Sequence, residues 1–218
     1  MEPIRSAEAQ NRRYFQRAYE TGCHGWESTE PSPYVARNLS AVAQAAAGRR
    51  LLDLGCGEGR HCVLAAQMGF RPVGLDYEPG ATRRAQARAC ELGLARSARF
   101  LVGDVLALPF RSGSFDVIAD YGCLHHQRKA DWPRYRAMLL RVLAAEGHFL
   151  LSVFSTAFRT YGLQKRPWHL AHGAYRRFFT AADLHALFGR DFAFGRLEEE
   201  RDDVRGFWHA LLRRKPEP

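Results

Sequence analysis

From Arg50 to Phe154 short apolar runs alternate with segments whose apolar residues recur at helical spacing. The runs Arg50–Leu54, Pro72–Leu75, Arg99–Val102, Phe115–Asp120 and His148–Phe154 predict strands. Arg60–Met68 (closed by Gly69), Gly80–Leu92 and Asp131–Ala145 predict the helices between them. Parallel neighbours need a crossover and antiparallel ones do not, so this alternation predicts βαβ units in a mainly parallel sheet. Upstream, Val35, Leu39 and Val42 place a helix over Tyr34–Ala47, which Gly48 ends. Residues 1 to about 30 mix polar residues with Tyr14, Phe15, Tyr19 and Trp26, and part of this stretch predicts a helix before a turn-rich connector, Glu27–Pro33. After Ser155 the rhythm breaks for about two dozen residues and then resumes with a helix over Thr180–Phe188, Thr180 being a suitable N-cap. Two more strands follow, Phe192–Glu199 and Arg205–Leu212. The expectation is one α/β domain: a doubly wound, seven-stranded, mainly parallel sheet in a three-layer αβα arrangement. Residues 1–48 form a helical lid, residues 49–218 the core, and 155–180 a cover inserted into it.

The length of 218 residues suits one well-filled core. No apolar run approaches the ~20 residues that cross a bilayer, and the start MEPIRSAEAQNRR is too polar for a secretory signal, so a cytoplasmic protein without membrane contact is expected. Cys23, Cys56, Cys62, Cys90 and Cys123 are odd in number and scattered, without the spacing of a zinc site; no metal is expected.

The chemistry concentrates in LLDLGCGEGRH, residues 51–61. An apolar strand runs through Asp53 into Gly55-Cys56-Gly57-Glu58-Gly59 and straight into a helix. Glycines let the backbone turn and approach a ligand closely, and the amides at the helix start favour a negative group. Asp76 ends the next strand, where a carboxylate can accept both hydroxyls of a ribose. Asp104 follows the third strand, where an acid can accept from an exocyclic amine such as that of adenine. A dinucleotide site shares the loop and the first acid, but its fingerprint is G-x-G-x-x-G, and here the third glycine comes one residue early.

Taken together, D-x-G-C-G-x-G, V-x-G-x-D, G-D-x-x-x-L-P-F and F-D-V-I with a histidine pair, in this order from about residue 50 to 155, resemble the class I S-adenosylmethionine-dependent methyltransferases, whose fold is Rossmann-like. GEGRH followed by AAQMGFRPVGLDYEP is similar to their small tellurite-resistance and thiopurine type branch, which acts on small molecules. The resemblance implies S-adenosylmethionine as cofactor. It implies that Gly55, Cys56 and Gly57 hold the methionine portion with Asp53 near its amino group, that Asp76 holds the ribose, with Tyr77 a further cofactor contact, and that Asp104 and Val105 frame the adenine. Tyr121 would lie under the sulfonium. Ala145-Glu146-Gly147 departs from the family, where two glycines are common before the fifth strand.

Methyl transfer from a sulfonium needs the acceptor held in line, and a base only where the acceptor must lose a proton. His125 and His126, just past the fourth strand, are the candidates for that base, with Tyr121 beside them; the same histidines are equally suited to packing the following loop. Cys123 lacks the preceding proline of the cysteine-dependent pyrimidine methylases, and Asp120-Tyr121-Gly122 lacks the Pro-Pro-aromatic run of base-amine methylases. The net charge of +9 gains meaning between Gly147 and Ala182, where arginines, lysine and aromatics interleave without one acidic residue. Such a cover suits a planar or anionic acceptor, and Tyr14, Tyr19, Trp26, Arg159, Trp168 and His169 are the candidate substrate contacts. A small-molecule acceptor is favoured; RNA or protein as acceptor, and a catalytically silent cofactor-binding protein, are the alternatives.

Overall fold

The computed structural model describes residues 3–22, 28–45, 48–159, 167–171 and 173–216. Helices α1 (Pro3–Thr21) and α2 (Pro33–Ala45) precede β1 (Arg50–Leu54), α3 (Arg60–Gln67), β2 (Arg71–Asp76), α4 (Pro79–Glu91), β3 (Arg99–Val102) and β4 (Phe115–Tyr121). Then come α5 (Trp132–Val142), β5 (Leu143–Phe154), β6 (Trp168–Ala171), β7 (Ala174–Arg177), α6 (Ala181–Phe188), β8 (Phe192–Arg201) and β9 (Gly206–Arg214). Seven strands form one sheet in the order β3-β2-β1-β4-β5-β9-β8. The pairs among β1 to β5 are parallel, while β9 runs antiparallel to both β5 and β8. This is the doubly wound sheet that the sequence pattern predicts, and its order reverses direction between β1 and β4.

Alternate residues of each strand feed opposite faces. Leu52, Leu54, Ile118, Phe149 and Leu151 meet Tyr135 and Leu139 of α5 and Leu184 and Phe188 of α6. Leu51, Val117, Ala119 and Leu150 meet Val35 and Leu39 of α2 and Ala65 of α3. The sheet is therefore covered on both sides, which leaves its strand ends to offer room for a ligand. Gly74 of β2 is small for a steric reason: a Cβ there would lie 2.7 Å from Cδ1 of Phe100 and 2.8 Å from Sγ of Cys56 in the glycine loop. Gly74→Ala should destabilise the protein by about 1–3 kcal/mol, since overpacked cores cost that much. A thermal melt indistinguishable from the unsubstituted chain would contradict this.

Helix ends follow local chemistry. The Thr180 hydroxyl accepts from Asp183 N at 3.1 Å and the Asp183 carboxylate accepts from Thr180 N at 2.9 Å, a reciprocal capping box that starts α6. The helix predicted to run to Ala145 instead stops at Val142, because Leu143 pairs with Phe115 in the sheet. Glu146 adopts φ 57°, a left-handed conformation that glycine takes without strain.

The stretch between β5 and α6 holds a feature the pattern did not predict. Its described residues include a two-stranded antiparallel hairpin, β6 paired with β7, turning at Gly173. The hairpin docks on α1, where Tyr175 N donates to Asn11 Oδ1 at 3.1 Å. Among the described residues no helix is long and apolar enough to cross a membrane.

Candidate active site

The carboxyl ends of β1, β2 and β4 converge beside the point where the strand order reverses, which is where open α/β sheets bind ligands. Gly55 and Gly57 have φ 67° and 53°, so the chain leaves β1 through a left-handed turn that glycine takes without strain. The amides of Gly55 and Cys56 both donate to the Leu75 carbonyl, at 2.8 and 3.1 Å. Asp76 completes the tie: one carboxylate oxygen accepts from Gly57 N and the other from Glu78 N, each at 3.0 Å. The acid that the motif offers to a ribose thus also shapes the glycine loop. Each of its oxygens keeps a lone pair for a ligand hydroxyl.

Three buried carboxyls sit at this edge. Burial pushes Asp53 up to about 7, the Cys62 thiol opposing by donating at 3.5 Å and the neighbouring Asp120 and Asp76 charges adding to the rise. Burial pushes Asp76 up to about 6 against the amides of Glu78 and Gly57. Asp120 rises to about 7 by burial, restrained by the Tyr135 hydroxyl and the amides of Cys123 and Leu124. Acids raised by lost hydration and mutual repulsion are a setting that a cationic ligand relieves. Tyr77 adds a second open valence: its hydroxyl is buried without a hydrogen-bond partner among the described residues. Both features fit a ligand carrying positive charge and ribose-like hydroxyls.

Beyond β4 the chain turns at Gly122 into a short 3-10 turn, Leu124–His126. His125 Nδ1 accepts from Phe154 N at 3.2 Å, so its proton rests on Nε2, and its ring stacks on Phe154 at 3.6 Å. His126 has the opposite tautomer. Its Nδ1 lies 2.6 Å from the Tyr175 carbonyl, which only accepts, so Nε2 carries the lone pair. Burial lowers His126 to about 4 and holds His125 well below the usual imidazole range, so both are neutral at physiological pH. His126, together with Tyr77, Asp104, Val105, Arg12 and Tyr175, lines a cavity of about 60 Å³ at this edge. His125 does not line it, and its stacking fits a packing role.

Tyr121 points to the opposite face of β4 from Asp120. There it meets His61 at 5.1 Å, lies 5.2 Å beneath the Arg60 guanidinium and stacks on Phe207 at 5.9 Å. It sits beside the helix that the glycine loop starts, apart from the cavity that holds Asp104, Val105 and Tyr77. Among the cover candidates, Tyr19 is buried against the glycine loop, its hydroxyl 3.0 Å from where a Gly57 side chain would begin. Tyr14 lines a separate open groove along α1, with Gln10, Arg13, Arg17 and Gly173 of the hairpin turn. Trp168 is 48% exposed on the hairpin, with His169 next to it, and Arg159, five residues past the end of β5, is exposed. Trp26 lies outside the described residues. The basic cover is partly internal, since Arg177 is buried with its guanidinium 4.7 Å over Trp132. Sequence reasoning missed Arg12 and Asn11, polar residues on a polar helix with no local signal. It also did not assign Phe15, whose ring meets both Tyr77 and His126.

Residues 51–147 match the family model described as "Methyltransferase domain". Norajmaline N-methyltransferase of Rauvolfia serpentina is 35% identical over 97 residues, which are 44% of this chain and 32% of that protein. A 2-heptyl-1-hydroxyquinolin-4(1H)-one methyltransferase of Mycobacteroides abscessus is 29% identical over 132 residues, 61% of this chain and 56% of its own. The chain therefore spans only about a third to about a half of the length of these curated relatives. Among solved structures, the 1,6-didemethyltoxoflavin-N1-methyltransferase of Burkholderia thailandensis, with bound 1,6-didemethyltoxoflavin and S-adenosylhomocysteine, superposes with a TM-score of 0.77. It is 23% identical, with 99% of this chain and 92% of that chain covered, and so speaks for the fold. The match over 51–147 falls on the segment from β1 to the start of β5, which carries the glycine loop and Asp76, and makes that segment similar to a methyltransferase domain.

Proposed function

We propose that this protein transfers a methyl group from S-adenosylmethionine to an oxygen, nitrogen or sulfur atom of a small, planar or anionic acceptor. The observation that carries the reading is Asp76, buried at the end of β2, tied to the glycine loop and still open to two ligand hydroxyls. Gly55, Cys56 and Gly57 would cradle the methionine portion, Asp53 its ammonium group, Asp76 and Tyr77 the ribose, and Asp104 with Val105 the adenine. When bound, the cofactor supplies an activated methyl group on a sulfonium leaving group. The chain contributes placement and exclusion of water. His126, held neutral with Nε2 as an acceptor, would receive a hydrogen bond from the acceptor's N–H or O–H and so orient it. A group lowered to about 4 orients far better than it deprotonates. Tyr121, beneath Arg60, would border the methionine end.

A small acceptor is supported by the compact cover and by the norajmaline and 2-heptyl-1-hydroxyquinolin-4(1H)-one in the names of the relatives. The finer placement beside the tellurite-resistance and thiopurine type enzymes rests on the motifs after Gly57 alone. An RNA acceptor draws less support, since Arg177 of the basic segment is spent on Trp132. Calorimetric titration with S-adenosylmethionine, S-adenosylhomocysteine and NAD tests the reading. Micromolar binding of the two sulfur nucleosides without NAD is expected, followed by turnover in a screen of anionic and heteroaromatic acceptors. NAD binding alone would end it.

The raised carboxyls give this binding a pH dependence. A cationic ligand prefers Asp53 and Asp76 ionised, and below about 7 and about 6 they take up protons. Affinity for S-adenosylmethionine should therefore fall as pH drops from 7.5 to 5.5, by about tenfold or more, with proton release on binding near pH 6.5. Fold stability is a poorer readout. The raised acids favour the free fold at low pH and lose that contribution as pH rises to 7, whereas His61 and His126, lowered to about 3 and about 4, act in the opposite sense below 6.5. Equal affinity at the two pH values would show that neither carboxyl meets the cation.

A further inference from the structure

Helix α1 presents Arg12, Phe15 and Tyr19 to the cofactor edge, a spacing of three and then four residues that forms one stripe on a helix. Arg12 Nη2 lies 3.4 Å from Asp104 Oδ2, and its guanidinium carbon lies 5.2 Å from the Tyr77 ring centroid. A planar group with an N–H toward Asp104 and a face toward Tyr77 is also what an adenine would present. Phe15 sets its ring edge-on to Tyr77 at 5.9 Å and to His126 at 4.9 Å. The Tyr19 hydroxyl fills the space directly over Gly57. The helix is held there by Asn11 on Tyr175 and by Arg84, which donates to the Tyr19 carbonyl at 2.6 Å. What remains beneath is about 60 Å³. A ligand joining a nucleoside to an amino acid needs several hundred Å³, on the order of 300 or more. Helix and cofactor exclude one another in this arrangement.

We propose that α1 is a self-occluding latch, with the Arg12 guanidinium seated as an intramolecular surrogate for the adenine on Asp104 and Tyr77, so that cofactor entry requires its displacement. This rests on the cofactor reading given above. It makes Arg12 a competitor of the cofactor, which reverses the sign expected for a binding residue.

The test is S-adenosylhomocysteine binding by calorimetry and stopped-flow fluorescence to the full chain, to Arg12→Ala and to Arg12→Lys. A half-exposed ion pair and a cation–π contact together correspond to about a three- to tenfold effect. Arg12→Ala should therefore bind about three- to tenfold more tightly and saturate at a higher limiting association rate. Arg12→Lys, which keeps the charge and loses the planar fork, should fall between. The Arg12 side chain is 51% exposed, so matching thermal melts are expected for all three proteins. Weaker or unchanged binding by Arg12→Ala overturns the latch, weaker binding marking Arg12 as a cofactor contact. Absence of binding in all three removes the cofactor reading, and the latch with it, and is distinct from either of those results.

Discussion

Asp120→Ala should lower stability by about 3 kcal/mol, which for a chain of this length shifts the thermal midpoint by roughly 6–12 °C. The Asp120 carboxylate accepts from the Tyr135 hydroxyl at 2.6 Å, from Cys123 N at 2.8 Å and from Leu124 N at 3.0 Å. Tyr135 is 1% exposed, so its hydroxyl has no water to turn to. Each buried donor left alone costs about 1–3 kcal/mol, and relief of the carboxylate's own burial offsets part of the sum. Asp120→Asn keeps an acceptor for the two amides and should cost less than half as much. Tyr135→Phe removes one bond and should cost about 1 kcal/mol. These donors fix the turn that carries His126, so Asp120→Ala should also reduce turnover more than cofactor affinity. Chemical denaturation of the three variants checks the ordering. An Asp120→Ala protein that melts within 2 °C of the unsubstituted chain, a margin below about 1 kcal/mol, would show that the carboxylate does not hold the turn.

The role of Asp120 illustrates what the sequence could and could not carry. Strands β1 to β5 and the glycine loop were legible because their signals are local: an apolar run, then glycines, then a helical period. The capping box at Thr180 and Asp183 is local too, and the sequence pattern places Thr180 correctly. Asp120 and Tyr121 are adjacent in the same motif, yet the pleat sends them to opposite faces, one to Tyr135 and the other to Arg60 and His61. Their partners lie 15 and about 60 residues away, and nothing in the local pattern names them. The β6–β7 hairpin escaped for a related reason. Trp168-His169-Leu170-Ala171 lacks a clean alternation, and the hairpin gains its partners from Asn11 and His126, far off in the chain. Arg12 is the extreme case, an arginine on a polar helix whose importance arises only where that helix lands.

Asp76→Ala should weaken S-adenosylhomocysteine binding by at least about a hundredfold, close to 3 kcal/mol. Two effects act in the same direction. Two ribose hydroxyls lose a charged acceptor in a site that is 8% exposed, and hydrogen bonds to charged groups are worth about 1.5–3 kcal/mol each. The amides of Gly57 and Glu78 also lose the carboxylate that sets the loop. The two contributions separate with a ligand lacking both ribose hydroxyls. The unsubstituted protein should bind this dideoxy analogue far more weakly than S-adenosylhomocysteine, whereas Asp76→Ala should scarcely distinguish the two, and any remaining deficit reports the slackened loop. If Asp76→Ala still preferred the hydroxylated ligand by the full factor, the ribose would be held elsewhere.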